Sequence, residues 1–254
     1  MGELLLISIG LYDEKDMSLR ALEEARKCDK LYLEMYTTVL GTTKEKLEDL
    51  IGKEIKVVGR KELEEGCGKI VEEARRYKVG VLVGGDCLVA TTHNILREEA
   101  MKKGVRVRVV HGSSILSAVA ETGLHIYKFG RCVTIPLPEK TGGKIPFSVY
   151  DVIKGNKERG LHTLCLLDVD MERNRKLSVD EAARILLEME NKRKEGVVDG
   201  KTKVVVYRNF GKGSEIIYLE LNKLLERNVE PPAVLIIPGK LHFTEEDFLQ
   251  NFIS

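Results

Sequence analysis

A pair of glycines and a carboxylate follow a predicted buried strand in the segment Val83-Gly84-Gly85-Asp86. Glycines allow the backbone to approach a ligand closely or to adopt a positive φ angle. The Asp86 carboxylate could accept hydrogen bonds from a ribose or an amine, and it would favour a nearby positive charge such as a sulfonium or an ammonium. Asp is also a common N-cap of a following helix. The segment by itself is compatible with either role.

Polar residues follow two other predicted strands. The serines of His111-Gly112-Ser113-Ser114 can cap the next helix, face a ligand, or do both. The loop Gly10–Asp16 carries three carboxylates and lacks the G-x-G-x-x-G spacing of a dinucleotide site. Because a pyrophosphate is bound by small residues and free N–H groups at a helix N-terminus, this acidic loop disfavours a dinucleotide. Taken alone, it is a turn capped by Asp16 or Ser18.

The segment Gly123–Gly130 reads GLHIYKFG and joins a predicted helix to a predicted strand. Its His125, Tyr127 and Lys128 side chains could bind a substrate that carries a carboxylate. Alternating residues at the entrance to a strand would produce the same pattern. We advance the hypothesis that Lys128 or His125 orients such a carboxylate.

Composition excludes several classes of protein. The chain has 254 residues, with 41 Lys and Arg against 40 Asp and Glu, for a formal net charge of +1. This balance argues against a protein held on nucleic acid mainly by phosphate neutralisation. The N-terminus lacks the basic region of a signal peptide, and no apolar run approaches the roughly 20 residues that span a bilayer. We therefore expect a cytoplasmic protein that binds neither membrane nor nucleic acid.

Cysteines and histidines lack the spacing of metal ligands. The five cysteines form no C-x-x-C pair, and the five histidines form no H-E-x-x-H pair. We expect free thiols and no bound metal. The Gly-Lys pairs at positions 143–144 and 239–240 do not fit G-x-x-x-x-G-K-[ST], so a P-loop is excluded.

Short apolar runs alternate with amphipathic helical segments along the whole chain. Five predicted strands in the first half, beginning with Leu4–Ile9, are separated by helices, which is typical of a parallel sheet covered on both faces. The second half repeats the alternation, with strands such as Leu161–Asp168 and a predicted helix around Glu215–Arg227. The predicted fold class is α/β, with two tandem domains, 1–112 and 113–254, and mainly parallel sheets.

The predicted architecture indicates where a ligand would bind. Ligands of open parallel sheets bind beyond the carboxyl ends of the strands. We therefore expect a cofactor cleft between the two domains. The loops expected to line it are those after Ile9, Val83, Val110, Leu167, Arg208 and Ile237.

Five segments, in order along nearly the whole chain, resemble the diphthine synthases, which are S-adenosylmethionine-dependent methyltransferases of the tetrapyrrole-methylase-like fold. The segments are GLYDEKD (Gly10–Asp16), GDCLVATTH (Gly85–His93), HGSSILSAVAETGLHIYKFG (His111–Gly130), ERGLHTLCLLD (Glu158–Asp168) and PPAVLIIPGKLHF (Pro231–Phe243). The resemblance implies a homodimer of two-domain α/β chains that bind S-adenosyl-L-methionine between the domains. It also implies methylation of the amine of a modified histidine on translation elongation factor 2, in diphthamide biosynthesis.

The resemblance further implies cofactor contacts at eight positions in the loops after predicted strands. They are Leu11, Asp86, Val89, Ser114, Ile115, Leu167, Phe210 and Ala233. Because many of these residues are apolar, we expect backbone groups to contact the adenine and methionine ends of the cofactor, with the side chains supplying packing. The sequence assigns no residue as a catalytic base.

Several positions depart from the family pattern. Ser8 stands where Gly is usual, and Gly84 and Cys87 stand where Pro is usual on each side of Gly85-Asp86. His111-Gly112-Ser113 replaces the more common His-Ala-Pro. These departures lie in the loops expected to hold the methionine end of the cofactor.

Two other functions are left as alternatives by the sequence. One is a methyltransferase of the same fold that acts on a tetrapyrrole ring, but such enzymes usually carry a G-x-G-x-G-D type first loop, which this chain lacks. The other is a non-catalytic nucleotide-sensing module. It would bind S-adenosylhomocysteine without transferring a methyl group.

Overall fold

The computed structural model describes residues 2–253, apart from the side chains of Glu64 and Glu65. The chain divides into two compact units, Met1–Leu116 with Met171–Arg173 and Ser117–Asp170 with Asn174–Ser254. The main division thus falls after Leu116, whereas the sequence places a boundary near Gly112. The short segment at 171–173 belongs to the first unit although it lies late in the chain.

A five-stranded sheet forms the centre of the first unit. Its strands are β1 (Glu3–Gly10), β2 (Lys30–Glu34), β3 (Lys56–Val58), β4 (Lys78–Gly84) and β5 (Arg106–Val110), in the order β3-β2-β4-β1-β5. The connecting helices are α1 (Leu19–Arg26), α2 (Lys44–Ile51), α3 (Cys67–Ala74) and α4 (Asn94–Lys102), with a 3₁₀ turn at Glu14–Asp16 and a π-helical turn at Lys61–Glu65. Every strand pair is parallel, which confirms the prediction for the first half.

Helices cover both faces of this sheet, and the apolar residues of the central strand β1 point alternately to the two faces. Leu4 and Leu6 pack in one core with residues of α3 and α4. Leu5 and Ile7 pack in a second core with residues of α1 and α2. Successive side chains of a strand point to opposite faces, so such a strand needs a helical layer on each side. Burial of each Leu or Ile side chain stabilises the folded state by about 1.5–3 kcal/mol relative to leaving it exposed.

The second unit is built on another five-stranded sheet. In chain order the remaining strands are β6 (Val133–Ile135), β7 (Thr163–Leu167), the paired β8 (Val169–Asp170) and β9 (Arg175–Lys176), β10 (Lys203–Arg208), β11 (Glu215–Glu220) and β12 (Ala233–Ile237). The sheet order is β11-β10-β12-β7-β6. The remaining helices are α5 (Ile115–Ala118), which crosses the boundary between the units, α6 (Phe147–Glu158), α7 (Val179–Arg193) and α8 (Phe243–Leu249), and short 3₁₀ segments include Val119–Thr122, Ile126–Lys128 and Leu221–Glu226.

This second sheet is mixed, so the prediction of a mainly parallel sheet is wrong for the second half. β12 runs antiparallel to both β7 and β10, and β10 runs antiparallel to β11, whereas β6 and β7 are parallel. The connection between β10 and β11 covers residues 209–214. It is long enough for a hairpin but too short for a parallel crossover, which needs about a dozen residues or more.

The predicted helix around Glu215–Arg227 is also wrong. Its first part is β11, and a 3₁₀ helix follows at Leu221–Glu226. Ile217 and Leu219, two residues apart, both enter the core of the second unit, which is the period of a strand. Helix α8 is absent from the sequence prediction because its N-cap is His242, a residue type that seldom signals a helix start.

Helix length and thiol burial complete the description of the fold. Within residues 2–253, none of the helices has both the length and the apolar character needed to cross a membrane. The cysteines are free thiols, of which Cys132 is exposed and the others are buried. Burial raises the pKa of Cys28 to about 11, so this thiol stays protonated at neutral pH.

Candidate functional site

Three adjacent strands of the first sheet bring together five of the predicted cofactor residues. β1 lies between β4 and β5, and all three run in parallel. At their carboxyl ends, Leu11 follows β1, Asp86 and Val89 follow β4, and Ser114 and Ile115 follow β5. Asp86 and Ser114 are buried, and the other three are half-buried. Their common edge is the one where parallel sheets bind ligands.

A pair of glycines joins the loops after β1 and β4. The Gly10 amide donates to the Gly85 carbonyl at 3.2 Å, and the Gly85 amide donates to the Gly10 carbonyl at 2.7 Å. Both residues have positive φ angles, +107° and +69°, which side-chain-bearing residues rarely adopt. A Cβ atom placed on Gly85 would meet no atom within 4 Å. The backbone at the end of β4 is therefore accessible to a ligand.

The Asp86 carboxylate joins the loops after β4 and β5. Its Oδ1 accepts a hydrogen bond from the Leu88 amide at 3.0 Å. Its Oδ2 accepts from the His111 ring at 2.8 Å and from the Gly112 amide at 3.2 Å. Helix α4 begins at Asn94, with His93 at its N-cap position, so Asp86 does not cap that helix.

The charge on Asp86 is fixed by these contacts. Burial alone would raise the pKa of this carboxyl, but the hydrogen bonds from Leu88, His111 and Gly112 bring the pKa below its ordinary value. Asp86 is therefore ionised at neutral pH, with its side chain only 8% exposed. A buried negative charge beside accessible backbone suits a cationic cofactor that binds through backbone groups, and it disfavours a phosphate. These features fit the donor expected from the family resemblance.

The other three predicted residues lie together at one edge of the second sheet. Leu167 ends β7, Phe210 follows β10, and Ala233 begins β12. The register places Ala233 opposite Arg208 and Val234 opposite Leu166. In a parallel sheet the start of β12 would lie at the opposite edge. The antiparallel pairing therefore brings Ala233 to the other two, and it carries the loop after Ile237, also predicted to line the site, away from them.

The loop that carries Phe210 is held at both ends by Glu121. The Tyr207 hydroxyl donates to Glu121 Oε2 at 2.6 Å, and the Ser214 hydroxyl donates to Glu121 Oε1. The Phe210 ring lies 5.5 Å from the Tyr207 ring, centroid to centroid. Glu121, which lies in the 3₁₀ segment Val119–Thr122, thus holds both ends of the loop 209–213 through its side chain.

Lys128 and His125 lie at the other edge of the second sheet, near the start of β7. The Lys128 ammonium donates to Glu245 and to the Lys240 carbonyl, and the His125 amide donates to Glu245 at 2.7 Å. Glu245 is fully buried, and it also accepts from His162 at 3.0 Å. The charge of Lys128 is already paired inside its own unit. Within the second unit, Lys128 and His125 therefore lie at the opposite end of β7 from Leu167, and their role towards a substrate carboxylate stays a hypothesis.

His111 is the functional candidate that sequence reasoning did not assign. It lies 25 positions after Asp86, so the pairing is invisible in any local motif. The available signal is that both residues directly follow strands, β4 and β5, that flank β1. Among residues 2–253, no group of three or more His, Cys, Asp or Glu side chains is arranged to hold a metal ion.

Comparison with known proteins identifies the family. The model of the tetrapyrrole (corrin/porphyrin) methylases matches residues 3–224. A protein of Methanocaldococcus jannaschii named diphthine synthase is 46% identical over 252 residues, covering 97% of each chain. The chain belongs to the diphthine synthases, within the tetrapyrrole methylase family.

Other relatives agree with this family assignment. A diphthine synthase of Methanococcus maripaludis is 42% identical over 250 residues, again covering 97% of both chains. A crystal structure of a diphthine synthase superposes with a TM-score of 0.88 at 32% identity, covering 98% of this chain and 95% of that one. Membership of the diphthine synthases makes this chain a methyltransferase that uses a methyl-donor cofactor.

Proposed function

We propose that this chain transfers methyl groups from S-adenosyl-L-methionine to the amine of the modified histidine of elongation factor 2, in diphthamide biosynthesis. The amine belongs to an aminocarboxypropyl group already attached to the imidazole. The observation that carries the proposal is the 46% identity to a diphthine synthase across 97% of both chains. A match of this extent includes every strand-end loop named above, and not the fold alone.

The cofactor is proposed to bind at the eight predicted positions. The donor supplies a methyl group on a sulfonium, which is already a good leaving group. The buried Asp86 carboxylate favours that positive charge, and the accessible backbone at Gly85 allows close approach. The remaining tasks of the protein are to align the amine with the methyl group and to exclude water.

The family resemblance also supports a homodimer and a cytoplasmic location. Neither nucleic acid nor membrane is proposed as a partner, in keeping with a formal net charge of +1. Sedimentation of the purified chain tests the dimer directly. A monomer at micromolar concentration would contradict that part of the proposal.

The activity test uses elongation factor 2 that carries the aminocarboxypropyl histidine. The purified chain is incubated with this factor and S-adenosylmethionine, and the modified peptide is analysed by mass spectrometry. We expect a mass increase of one or more methyl groups, and fragmentation that places them on the amine. Factor with an unmodified histidine is the control, and it is expected to gain no mass.

The same assay separates the alternatives. A tetrapyrrole methyltransferase would methylate a precorrin-type ring and leave elongation factor 2 unchanged. A nucleotide sensor would bind S-adenosylhomocysteine in calorimetry and transfer nothing to either substrate. Either result would overturn the proposed function.

A further inference from the structure

The buried Asp86 carboxylate is hydrogen-bonded to the exposed imidazole of His111, and the binding of a cofactor does not require this contact. His111 Nδ1 lies 2.8 Å from Asp86 Oδ2, and the Gly112 amide donates to the same oxygen. The two side chains differ sharply in exposure, because 69% of the His111 side chain is exposed against 8% for Asp86. A buried carboxylate therefore holds an exposed imidazole at the carboxyl edge of the first sheet.

The protonation state of Asp86 determines which tautomer His111 adopts. An ionised carboxylate can accept hydrogen bonds but cannot donate one. The contact to Asp86 therefore requires a proton on His111 Nδ1. In the neutral ring the other nitrogen, Nε2, is then an acceptor. The exposed side of the imidazole thus presents a basic nitrogen, held in position from behind.

We propose that His111 is the proton acceptor for the substrate amine, and that Asp86 is its positioning residue. This inference rests on the proposed function, since it concerns the same methyl transfer. Before transfer, the N–H bond of the substrate ammonium breaks, its electron pair stays on the amine nitrogen, and the proton moves to His111 Nε2. The neutral amine then forms the N–C bond while the S–C bond breaks, and that electron pair goes to sulfur.

The chemistry of the substrate gives this base a task. An aliphatic α-amino group has a pKa of about 8, so only about a tenth of it is neutral at pH 7. Each transfer to a primary or secondary amine also leaves a proton that must depart before another methyl group can be added. A positioned base contributes about 10²-fold or more to such a step.

The ionised group in contact with the His111 ring is Asp86, in the loop after β4. The neighbouring Cys87 thiol is buried, and burial raises its pKa, so it stays neutral at working pH. The positive charge that forms on the ring during proton transfer is matched by the buried Asp86 carboxylate.

The test uses His111→Gln, which removes the basic nitrogen and keeps a polar side-chain amide. At pH 7 we expect turnover to fall about 10²-fold, with the affinity for S-adenosylhomocysteine unchanged in calorimetry. The deficit should shrink towards pH 9, where solvent leaves the amine neutral. His242→Asn is the matched control, because it removes another exposed histidine while placing a good N-cap residue before α8.

A second measurement does not depend on turnover. Long-range ¹H–¹⁵N NMR reports which imidazole nitrogen carries the proton, and the His111→Gln spectrum assigns the signal. In the wild-type chain at alkaline pH we expect the His111 proton on Nδ1. A signal from a proton on Nε2 would overturn the inference even if turnover had fallen.

The remaining outcomes separate the two proposals. If the wild-type chain methylates the factor and His111→Gln matches it at pH 7, the proton-acceptor role is wrong and the proposed function stands. If His111→Gln loses affinity for S-adenosylhomocysteine, the role of His111 is structural and the inference is again wrong. If the wild-type chain transfers no methyl group, the proposed function fails and takes this inference with it.

Discussion

The hydroxyl of Ser8 accepts a hydrogen bond from the backbone amide of Cys87 at 3.0 Å, between two residues that are almost completely buried. The family resemblance implies Gly at position 8 and Pro at position 87. Proline has no amide proton and glycine has no hydroxyl, so the usual pair could not form this bond. The two departures compensate each other, because the amide that appears at position 87 is satisfied by the hydroxyl that appears at position 8.

Removal of this hydroxyl should destabilise the first unit. Ser8→Ala leaves the buried Cys87 amide without its partner, and we expect a loss of about 1–3 kcal/mol in the free energy of unfolding. Urea denaturation measures the change. In a Ser8→Gly background, Cys87→Pro should lower the free energy of unfolding by less than it does in the wild-type chain. Equal costs in the two backgrounds would show that the positions are not coupled.

Gly112 lies so close to Ser8 that a larger residue cannot be accommodated. A Cβ atom at position 112 would lie 2.7 Å from the Ser8 Cβ atom. Gly112→Ala should therefore destabilise the chain by about 1–3 kcal/mol and weaken binding of S-adenosylhomocysteine. The matched control is Gly155→Ala within α6, where a Cβ atom meets nothing within 4 Å. That change should stabilise the chain by about 0.5–1 kcal/mol, and a loss comparable to that of Gly112→Ala would contradict the steric explanation.

The first unit could be predicted from its sequence because its strands and helices are local patterns. Leu4–Ile9 is apolar at every position except Ser8, and the segments between strands have helical periodicity. The second sheet could not be predicted in the same way, since strand direction depends on which edges pair. The strand at Glu215–Glu220 carries polar ends, and the turn residues before it, Gly211, Gly213 and Ser214, can precede a helix as well as a strand. Its period of two becomes clear once Ile217 and Leu219 are seen in the core.

The sequence names residues for the candidate site but does not predict the contacts between them. Residues after strand ends could be named, because the carboxyl edge of a parallel sheet binds ligands. The Asp86–His111 contact joins residues 25 positions apart, and only the strand order β4-β1-β5 brings them together. Ala233 reaches the edge that holds Leu167 through antiparallel pairing, which the sequence analysis did not predict.

Glu121 should control the loop that carries Phe210. It accepts hydrogen bonds from Tyr207 and Ser214 at the two ends of this loop. Hydrogen bonds to a charged group contribute about 1.5–3 kcal/mol, so Glu121→Ala should weaken S-adenosylhomocysteine binding about tenfold and speed hydrogen exchange at residues 209–213. Glu220→Ala, at the far end of β11, is the control. Unchanged exchange in Glu121→Ala would refute the anchoring role.

Glu245 should make the second unit sensitive to strong acid. Burial alone would raise the pKa of this carboxyl, but hydrogen bonds from the backbone of His242 and from Lys128 lower it to about 2, from an ordinary value of 4.5. The folded state then binds fewer protons than the unfolded state, so stability present above about pH 5 is lost as the pH falls towards 2. Glu245→Gln should remove this loss of stability in acid. It should also lower the free energy of unfolding at neutral pH by about 3–5 kcal/mol, because Lys128 loses its counter-charge. Glu246→Gln, an exposed neighbour, should change neither quantity appreciably in urea denaturation.

His162 should add a second loss of stability in milder acid. Its Nδ1 accepts from the Gly239 amide at 2.9 Å, so the neutral ring carries its proton on the nitrogen that faces Glu245. Burial lowers the pKa of His162 and outweighs the opposing hydrogen bond to Glu245.

Protonation of His162 would turn Nδ1–H towards another donor, so the folded state resists it. Because the folded pKa lies below the ordinary value of 6.5, stability is fully present at pH 8 and falls as the pH drops through 6.5. His162→Asn keeps an acceptor for the Gly239 amide but cannot titrate. We expect a lower free energy of unfolding that depends less steeply on pH between pH 7 and pH 5, whereas His242→Asn keeps the wild-type pH dependence. Equal stability of the wild-type chain at pH 8 and pH 5 would contradict this prediction, because it would mean that His162 is protonated in the folded state at no cost in free energy.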